Sequence, residues 1–372
     1  MIYADNAATT KLDSDAFEAM KYFLTEDYAN ASQPYSYARK AKRALQEARA
    51  TVAECIGALP EEIFFTSGGT ESDNWAIKSL QGTGKRSAVI TSCIEHHAVL
   101  NACEALRKQG VPVRYLPVDK KGIVSPSVLE EQISDDVRLV SVMLANNEIG
   151  TVEPVAGLAK IAHRYGAVFH TDAVQAVGHI PVDVKELGVD LLSASGHKFN
   201  GPKGIGFLYI KKGIRICPYM DGGSQENGLR AGTENIASAV GMAVALKKNC
   251  REMQGTGARL LRIEDAFLRI LQGSGLRYIR NGAENHLPGN ISLSLESADG
   301  EMLLHRLDLK GICVSTGSAC DSKNTQVSHV IRAIGVPAGY AEGTIRISFG
   351  RDNTEEEAVA VASAVVSILE KK

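Results

Sequence analysis

The residues best suited to chemistry stand just after short apolar runs. Asp190-Leu-Leu-Ser-Ala leads into Ser195-Gly-His197-Lys198-Phe-Asn-Gly-Pro-Lys-Gly, a lysine flanked by hydrogen-bonding groups and followed by a glycine-rich turn. A lysine in a cleft forms a Schiff base with a carbonyl once its amine is neutral, and desolvation or nearby positive charge brings it towards that state. Ala167-Val-Phe leads into His170-Thr-Asp172-Ala-Val-Gln175, which sets a carboxylate at a strand end. A buried acid needs a cationic partner, although Asp172 taken alone serves equally well as a helix cap. Ile63-Phe-Phe leads into Thr66-Ser-Gly-Gly69-Thr70, small residues that let backbone amides approach an anion at a helix amino terminus; alone, this is also an ordinary strand-to-helix turn. The nearby Gly82-Thr-Gly-Lys-Arg86 lacks the spacing of a nucleotide-triphosphate loop.

The run Leu139–Leu144 is followed by Ala-Asn146-Asn147-Glu148, and Asn147 is a candidate for binding a cofactor oxygen or a substrate. Thr91-Ser-Cys93-Ile-Glu95-His96-His97 invites a metal reading, but no second Cys/His cluster lies near it in sequence, so no metal site is expected. A flat imidazole there can instead stack on a cofactor ring. Towards the carboxyl end, Val314-Ser-Thr-Gly-Ser-Ala-Cys320-Asp-Ser-Lys sets a cysteine among small, polar and charged residues, as a loop bearing a thiol would. Cys313, between Ile312 and Val314, reads as a small core residue. Thr344-Ile-Arg346-Ile-Ser-Phe alternates like a strand, and Arg346 either clamps a substrate carboxylate or faces solvent.

Positioning these groups requires a sheet. From about 60 to 210, seven short β-rich runs alternate with helical patterns, which predicts an α/β fold with a mostly parallel sheet, and ligands bind such sheets beyond the carboxyl ends of the strands. A length of 372 residues predicts two domains. The helix-compatible stretch 236–272 is interrupted by Gly255 and Gly257, which places a boundary near 255: a large α/β domain over 11–255, and a smaller α+β domain from 1–10 and 256–372 that carries the Cys320 loop. The smaller domain begins with the strand candidate Asn290–Leu295 and ends in a helix from about Thr354, whose Glu355, Glu356 and Glu357 suit its first turn.

Lys plus Arg number 41 against 43 Asp plus Glu, so no chain-wide field attracts nucleic acid or anionic lipid. The longest uncharged runs fall well short of the roughly 20 apolar residues a membrane-crossing helix needs. The amino terminus shows no export signal, and seven scattered cysteines fit reduced thiols better than a disulfide framework; both predict a cytoplasmic protein.

The ordered set of motifs resembles the cysteine desulfurases of the NifS/IscS type, pyridoxal-phosphate enzymes of the class V aminotransferase family. It runs from Tyr3-Ala-Asp-Asn-Ala-Ala-Thr-Thr through Thr66-Ser-Gly-Gly-Thr-Glu-Ser-Asp-Asn, Asn146-Asn-Glu-Ile-Gly, His170-Thr-Asp-Ala-Val-Gln, Ser195-Gly-His-Lys and Arg230-Ala-Gly-Thr-Glu-Asn to Gly317-Ser-Ala-Cys, essentially the whole chain. The resemblance implies the fold of type I pyridoxal-phosphate transferases, with a seven-stranded sheet in the large domain. It implies pyridoxal 5'-phosphate held covalently by Lys198, with Asp172 on the ring nitrogen, Gln175 on the phenolic oxygen and His96 stacked on the ring. Gly69, Thr70, Ser195 and His197 would hold the phosphate, joined by Thr233 of the neighbouring subunit of a homodimer. Asn147, which also borders the cofactor, and Arg346 would bind the substrate carboxylate.

The implied reaction removes sulfur from L-cysteine. Lys198 takes the α-proton, His96 transfers a proton at the substrate thiol, and the Cys320 thiolate attacks the substrate sulfur to leave a persulfide and release alanine. The sulfur would pass to an acceptor protein such as an iron–sulfur scaffold. Asn324-Thr-Gln326 stands where relatives with a long mobile loop often have Leu-Glu-Pro, and Asp321 where a small hydroxyl residue is common. Selenocysteine lyase is the nearest alternative on the same cofactor site; an ordinary aminotransferase and a non-catalytic sulfur carrier are more distant ones.

Overall fold

The computed structural model describes residues 1–79, 86–316 and 327–370. In chain order the strands are β1 (Ile2–Tyr3), β2 (Ile63–Thr66), β3 (Ala88–Ser92), β4 (Val113–Leu116), β5 (Val137–Ser141), β6 (Val168–Asp172), β7 (Leu191–Ser195), β8 (Gly206–Ile210), β9 (Tyr278–Asn281), β10 (Asn290–Leu295), β11 (Ile312–Cys313) and β12 (Thr344–Ser348). Seven of them form the main sheet in the order β2-β8-β7-β6-β5-β3-β4. Only β8 runs antiparallel to its neighbours, β2 and β7, so β2 returns to the direction of the parallel strands. The expected mostly parallel seven-stranded sheet is therefore present.

The short runs become strands because helices cover both faces of the sheet. β2, β3, β7 and β8 are buried along their whole length, which suits the near-continuous apolar composition of a two-sided parallel sheet. Two strands extend further than their apolar runs suggest. β6 continues through His170 and Thr171 to Asp172, and β7 through Ala194 to Ser195, because their polar side chains find partners within the sheet. β5 stops at Ser141, three residues before the apolar run ends.

A second core lies against β10, which pairs antiparallel with β12 and β9 in a three-stranded sheet. Its interior includes Ile291, Leu293, Ile345, Ile347 and Val361. Val361 belongs to the helix Glu355–Glu370, whose three glutamates occupy its amino-terminal turn, where the helix dipole favours negative charge. The short pair β1 and β11 is parallel, and Ala4 is buried in this second core. Residues beyond Ala4 then cross to the main sheet, with Thr10 bonded to the His197 carbonyl.

The expected break at Gly255 and Gly257 is absent: one helix runs unbroken from Ile236 to Gly273. A single helical glycine costs only about 1 kcal/mol relative to alanine, and this helix buries Leu246 and its neighbours on the first core, then Leu260, Ile263 and Phe267 on the second. Packing at both ends outweighs two weak positions between them. Among the described residues, no helix is long and apolar enough to cross a membrane.

Candidate active site

The carboxyl ends of β2, β3, β5, β6 and β7 open onto a cavity of about 430 Å³. Gly69, Thr70, His96, Asn147, Asp172, Gln175, Ser195, His197, Lys198 and Arg346 all line it. Thr233 does not; it borders a separate cavity with Arg230 and Glu226. Cys320, together with Asp321 and Asn324-Thr-Gln326, lies outside the described residues.

Lys198 closes a short 3-10 turn that follows β7 directly. Its Nζ donates to the carbonyls of Ala7 and Ala8 at 2.6 and 2.9 Å, so the amino-terminal segment holds the amine in place. The half-buried His179 bonds the Lys198 carbonyl through Nε2 at 2.9 Å and steadies its backbone. Asp172, the last residue of β6, accepts from the Val174 amide at 2.9 Å. Burial raises its carboxyl to about 6, opposed by that bond and by the Lys198 ammonium, so it remains ionised at neutral pH. It is thus a buried anion facing a cavity, able to pair with a ring nitrogen that carries a proton.

His96 caps the helix His97–Lys108, its Nδ1 accepting from the Ala98 amide at 3.1 Å. Burial, followed by the Lys198, His97 and His329 charges, lowers its pKa to about 4. The ring is therefore neutral, with Nδ1 engaged and its proton on Nε2. His197 is likewise pushed down to about 4, chiefly by burial, and its Nδ1 meets Thr9 Oγ1 at 3.1 Å.

Gly69 and Thr70 open the helix Gly69–Lys78, and the preceding Gly68 adopts φ +152°, a conformation that L side chains rarely take. Ser195 and His197 face this helix start in an adjoining recess that also contains Thr9, Lys203 and Gly204. Free amides at a helix amino terminus, hydroxyls and a nearby lysine make a cradle for a phosphate. The residues present therefore fit pyridoxal 5'-phosphate: an amine for its aldehyde, a buried carboxylate for its ring nitrogen and an anion cradle for its phosphate. Gln175 is held by its side-chain amide on the Ala7 carbonyl at 2.9 Å.

Arg346, on β12 of the second core, reaches this cavity and is 6% exposed, which removes the solvent-facing alternative. Its Nη2 donates to Asp5 at 2.7 Å and its Nη1 to the Asn147 carbonyl at 3.0 Å. Nε has no partner among the described residues. A guanidinium braced on two sides with donors remaining suits a substrate carboxylate.

The sequence reading missed several members of this environment. Asp73 and Glu95 also line the cavity, fully buried; Asp73 Oδ1 and Glu95 Oε2 have no hydrogen-bond partner among the described residues, although Asp73 Oδ1 lies 3.7 Å from His170 Nε2. Burial drives both carboxyls upward, Glu95 to about 8, and Asp172 lies close enough to add to each shift. Behind Asp172, His170 is buried between Ser141 and Ser193, and burial lowers its pKa to about 3. Asp73 and Glu95 sit inside motifs already singled out, but nothing in their spacing says that their side chains turn inward. Asp5, Ala7, Ala8 and His179 gave no local signal, since their roles arise from long-range contacts.

The family model for class-V aminotransferases matches residues 2–361. A cysteine desulfurase IscS of Dictyoglomus turgidum is 49% identical over 375 residues, covering 100% of this chain and 95% of its own. Among solved structures, a NifS-like protein superposes with a TM-score of 0.94 at 38% identity over 100% of both chains. SspA, solved in complex with cysteine, has a TM-score of 0.83 at 34% identity, over 94% of this chain and 99% of its own. A family model that spans nearly the whole chain, and relatives this similar along its length, show that the chain belongs to the class-V aminotransferase family as a pyridoxal-phosphate-dependent cysteine desulfurase.

Proposed function

We propose that this desulfurase acts on L-cysteine, releases L-alanine and keeps the sulfur as a persulfide on Cys320. The observation that carries the reading is the convergence of Lys198, Asp172, His96 and Arg346 on one cavity, with the substrate-side cation and the cofactor-side anion on elements of different cores. The cysteine bound to SspA supports the substrate.

When bound, pyridoxal 5'-phosphate supplies an electron sink for the charge left at the substrate's α-carbon. Asp172 would hold the ring nitrogen and keep a proton on it. Arg346 and Asn147 hold the carboxylate of L-cysteine, which orients the Cα–H bond towards Lys198, and Lys198 takes that proton at Nζ. His96, which lines the same cavity, would stack on the ring and would serve the substrate thiol through its Nε2 proton. The Cys320 thiolate forms an S–S bond to the substrate sulfur as the substrate's C–S bond breaks, and the remaining fragment leaves as alanine after protonation.

The chain works as a homodimer in this reading. Leu24 is 61% and Tyr28 69% exposed, and Phe17, Tyr35 and Tyr37 beside them in sequence are also exposed. Tyr28 and Tyr37 pack edge to face at 5.9 Å, and an exposed aromatic surface of this kind marks a protein interface. Thr233 then contributes to the phosphate cradle of the other subunit. The persulfide passes to a thiol-bearing acceptor such as an iron–sulfur scaffold protein, in the cytoplasm.

Peptide mass spectrometry after brief exposure of the cofactor-loaded protein to L-cysteine, without reductant, tests the assignment. One added sulfur on the Cys320 peptide, with alanine released, is expected. Alanine formed while Cys320 stays unmodified would remove the nucleophile from this scheme.

A further inference from the structure

The phosphate recess contains an acid. Glu71 stands in the first turn of the helix Gly69–Lys78 and lines the recess with Gly68, Thr70, Ser195 and His197. Its Oε2 accepts from the Ser67 amide at 2.8 Å, which fixes the turn that presents the amides of this helix start. Its side chain is 9% exposed, so water screens its charge poorly. Burial pushes the Glu71 carboxyl up, but the bonds from Arg230 and Ser67 outweigh it and hold the group below its ordinary value, so the acid is ionised. An anion in this wall repels the phosphate that the recess is shaped to hold.

Arg230 answers that charge from a distant part of the chain. Its Nε donates to Glu71 Oε1 at 2.8 Å and its Nη2 to Oε2 at 3.2 Å, a two-pronged pair. Arg230 lines the neighbouring cavity of about 190 Å³ while Glu71 lines the recess, and Ser67 and Gly204 border both, so the ion pair stands in the wall between the two. Glu226, which shares the cavity of Arg230, is matched by Arg49 at 2.6 Å and accepts from the Phe65 amide at 2.9 Å, so it does not draw Arg230 away. Of the other basic groups lining the recess, Lys203 is exposed and His197 is neutral, which leaves Arg230 to cancel the Glu71 charge within the wall.

We propose that Arg230 is a positioning residue for phosphate binding: paired with Glu71, it lets that acid fix the Ser67–Gly68 turn without repelling the cofactor's phosphate. The proposal rests on the reading of this recess as the phosphate cradle. Arg230 acts through Glu71 and needs no contact with the phosphate itself.

The test measures, by the change in visible absorption, the dissociation constants of the full-length protein, stripped of cofactor, for pyridoxal 5'-phosphate and for pyridoxal, which lacks the phosphate. Arg230→Ala should weaken pyridoxal 5'-phosphate by about tenfold or more and leave pyridoxal within about twofold. Glu71→Gln keeps an acceptor for the Ser67 amide but drops the charge, so it should bind pyridoxal 5'-phosphate at least as tightly as wild type. Combining the two substitutions should recover most of the loss. Equal weakening of both ligands by Arg230→Ala, or a loss of pyridoxal 5'-phosphate affinity in Glu71→Gln, would reduce the pair to a brace for the fold and overturn the proposal. Glu71→Gln decides even where Arg230→Ala, which strands a buried anion, does not fold. Ser195→Ala tests the cradle by itself: unchanged affinity for pyridoxal 5'-phosphate there would overturn the cradle reading and this proposal with it, whereas a phosphate-selective loss there beside an unselective one in Arg230→Ala would overturn the role of Arg230 alone.

Discussion

Replacing Arg346 with alanine separates substrate recognition from architecture. Its guanidinium is fixed by Asp5 at 2.7 Å and by the Asn147 carbonyl at 3.0 Å, with Nε free of partners among the described residues. A charge-assisted hydrogen bond to a carboxylate contributes about 1.5–3 kcal/mol, so losing the clamp lowers kcat/KM for L-cysteine by roughly 100-fold. The substitution also strips Asp5 of its cation. The Asp5 side chain is 19% exposed and water reaches it, so the cost to the fold falls below the about 3–5 kcal/mol of breaking a fully buried pair. The assay compares two ligands: L-cysteine by its rate of alanine formation, and cysteamine, which keeps the amine and thiol but lacks the carboxylate, by the change it causes in the cofactor's visible absorption. Arg346→Ala should raise KM for L-cysteine and leave the dissociation constant of cysteamine within about twofold. Arg346→Lys should recover part of the loss, as a point charge without the planar fork. Equal weakening towards both ligands would refute carboxylate recognition and reduce Arg346 to a brace for the amino-terminal segment.

Three further outcomes follow from buried charge and exposed surface. Asp172 is an acid whose folded pKa of about 6 exceeds its ordinary 3.8, so its contribution to stability is fully present below 3.8 and lost as pH rises through about 6. Asp172→Asn apoprotein should accordingly be more stable than wild type at pH 8, by an amount on the order of 3 kcal/mol, equally stable near pH 4, and much weaker in binding the cofactor; thermal unfolding and cofactor titration read these effects. Glu153 is buried with its carboxyl pushed up to about 8 by desolvation, and its stability contribution is lost as pH climbs from 4.5 through about 8. Glu153→Gln should therefore flatten the alkaline limb of the unfolding profile while leaving desulfuration at neutral pH unchanged. If the proposed homodimer forms through the exposed aromatic surface, Tyr28→Asp should shift it to monomer in sedimentation; a wild-type monomer would remove the homodimer, and a variant that stays dimeric would place the interface elsewhere.

The site was legible where chemistry coincides with strand ends. Lys198, Asp172 and the Gly69–Thr70 turn each follow an apolar run of a parallel sheet, and the chain topology alone brings those ends to one edge. The long helix was less legible, because its two glycines are weak local signals, and the burial of Leu246 and Leu260 that overrides them is a tertiary property. The polarity of Arg346 was undecidable for a similar reason. An alternating strand puts a side chain on either face, and only pairing of β12 with β10, with Asp5 bridged to Ser348, turns Arg346 towards Asn147.

That bridge explains why the first ten residues belong to the site, although most of their own side chains carry no reactive group. Asp5 anchors the substrate-side cation from the second core, while the carbonyls of Ala7 and Ala8 anchor the amine of Lys198 beyond the main sheet. In the proposed reaction two groups must stand at a set distance across the substrate, one for its carboxylate and one for its α-proton, and both are anchored by a few residues of a single backbone turn, closed by the Ala8 amide on the Asp5 carbonyl at 3.0 Å. Fixing them through one stretch of backbone leaves their separation insensitive to small shifts between the two cores, and orientation of that kind supplies much of the rate in reactions that depend on alignment. Carbonyls perform half of this task, and a carbonyl is present whatever the side chain, which is why Ala7 and Ala8 carry no functional mark in the sequence.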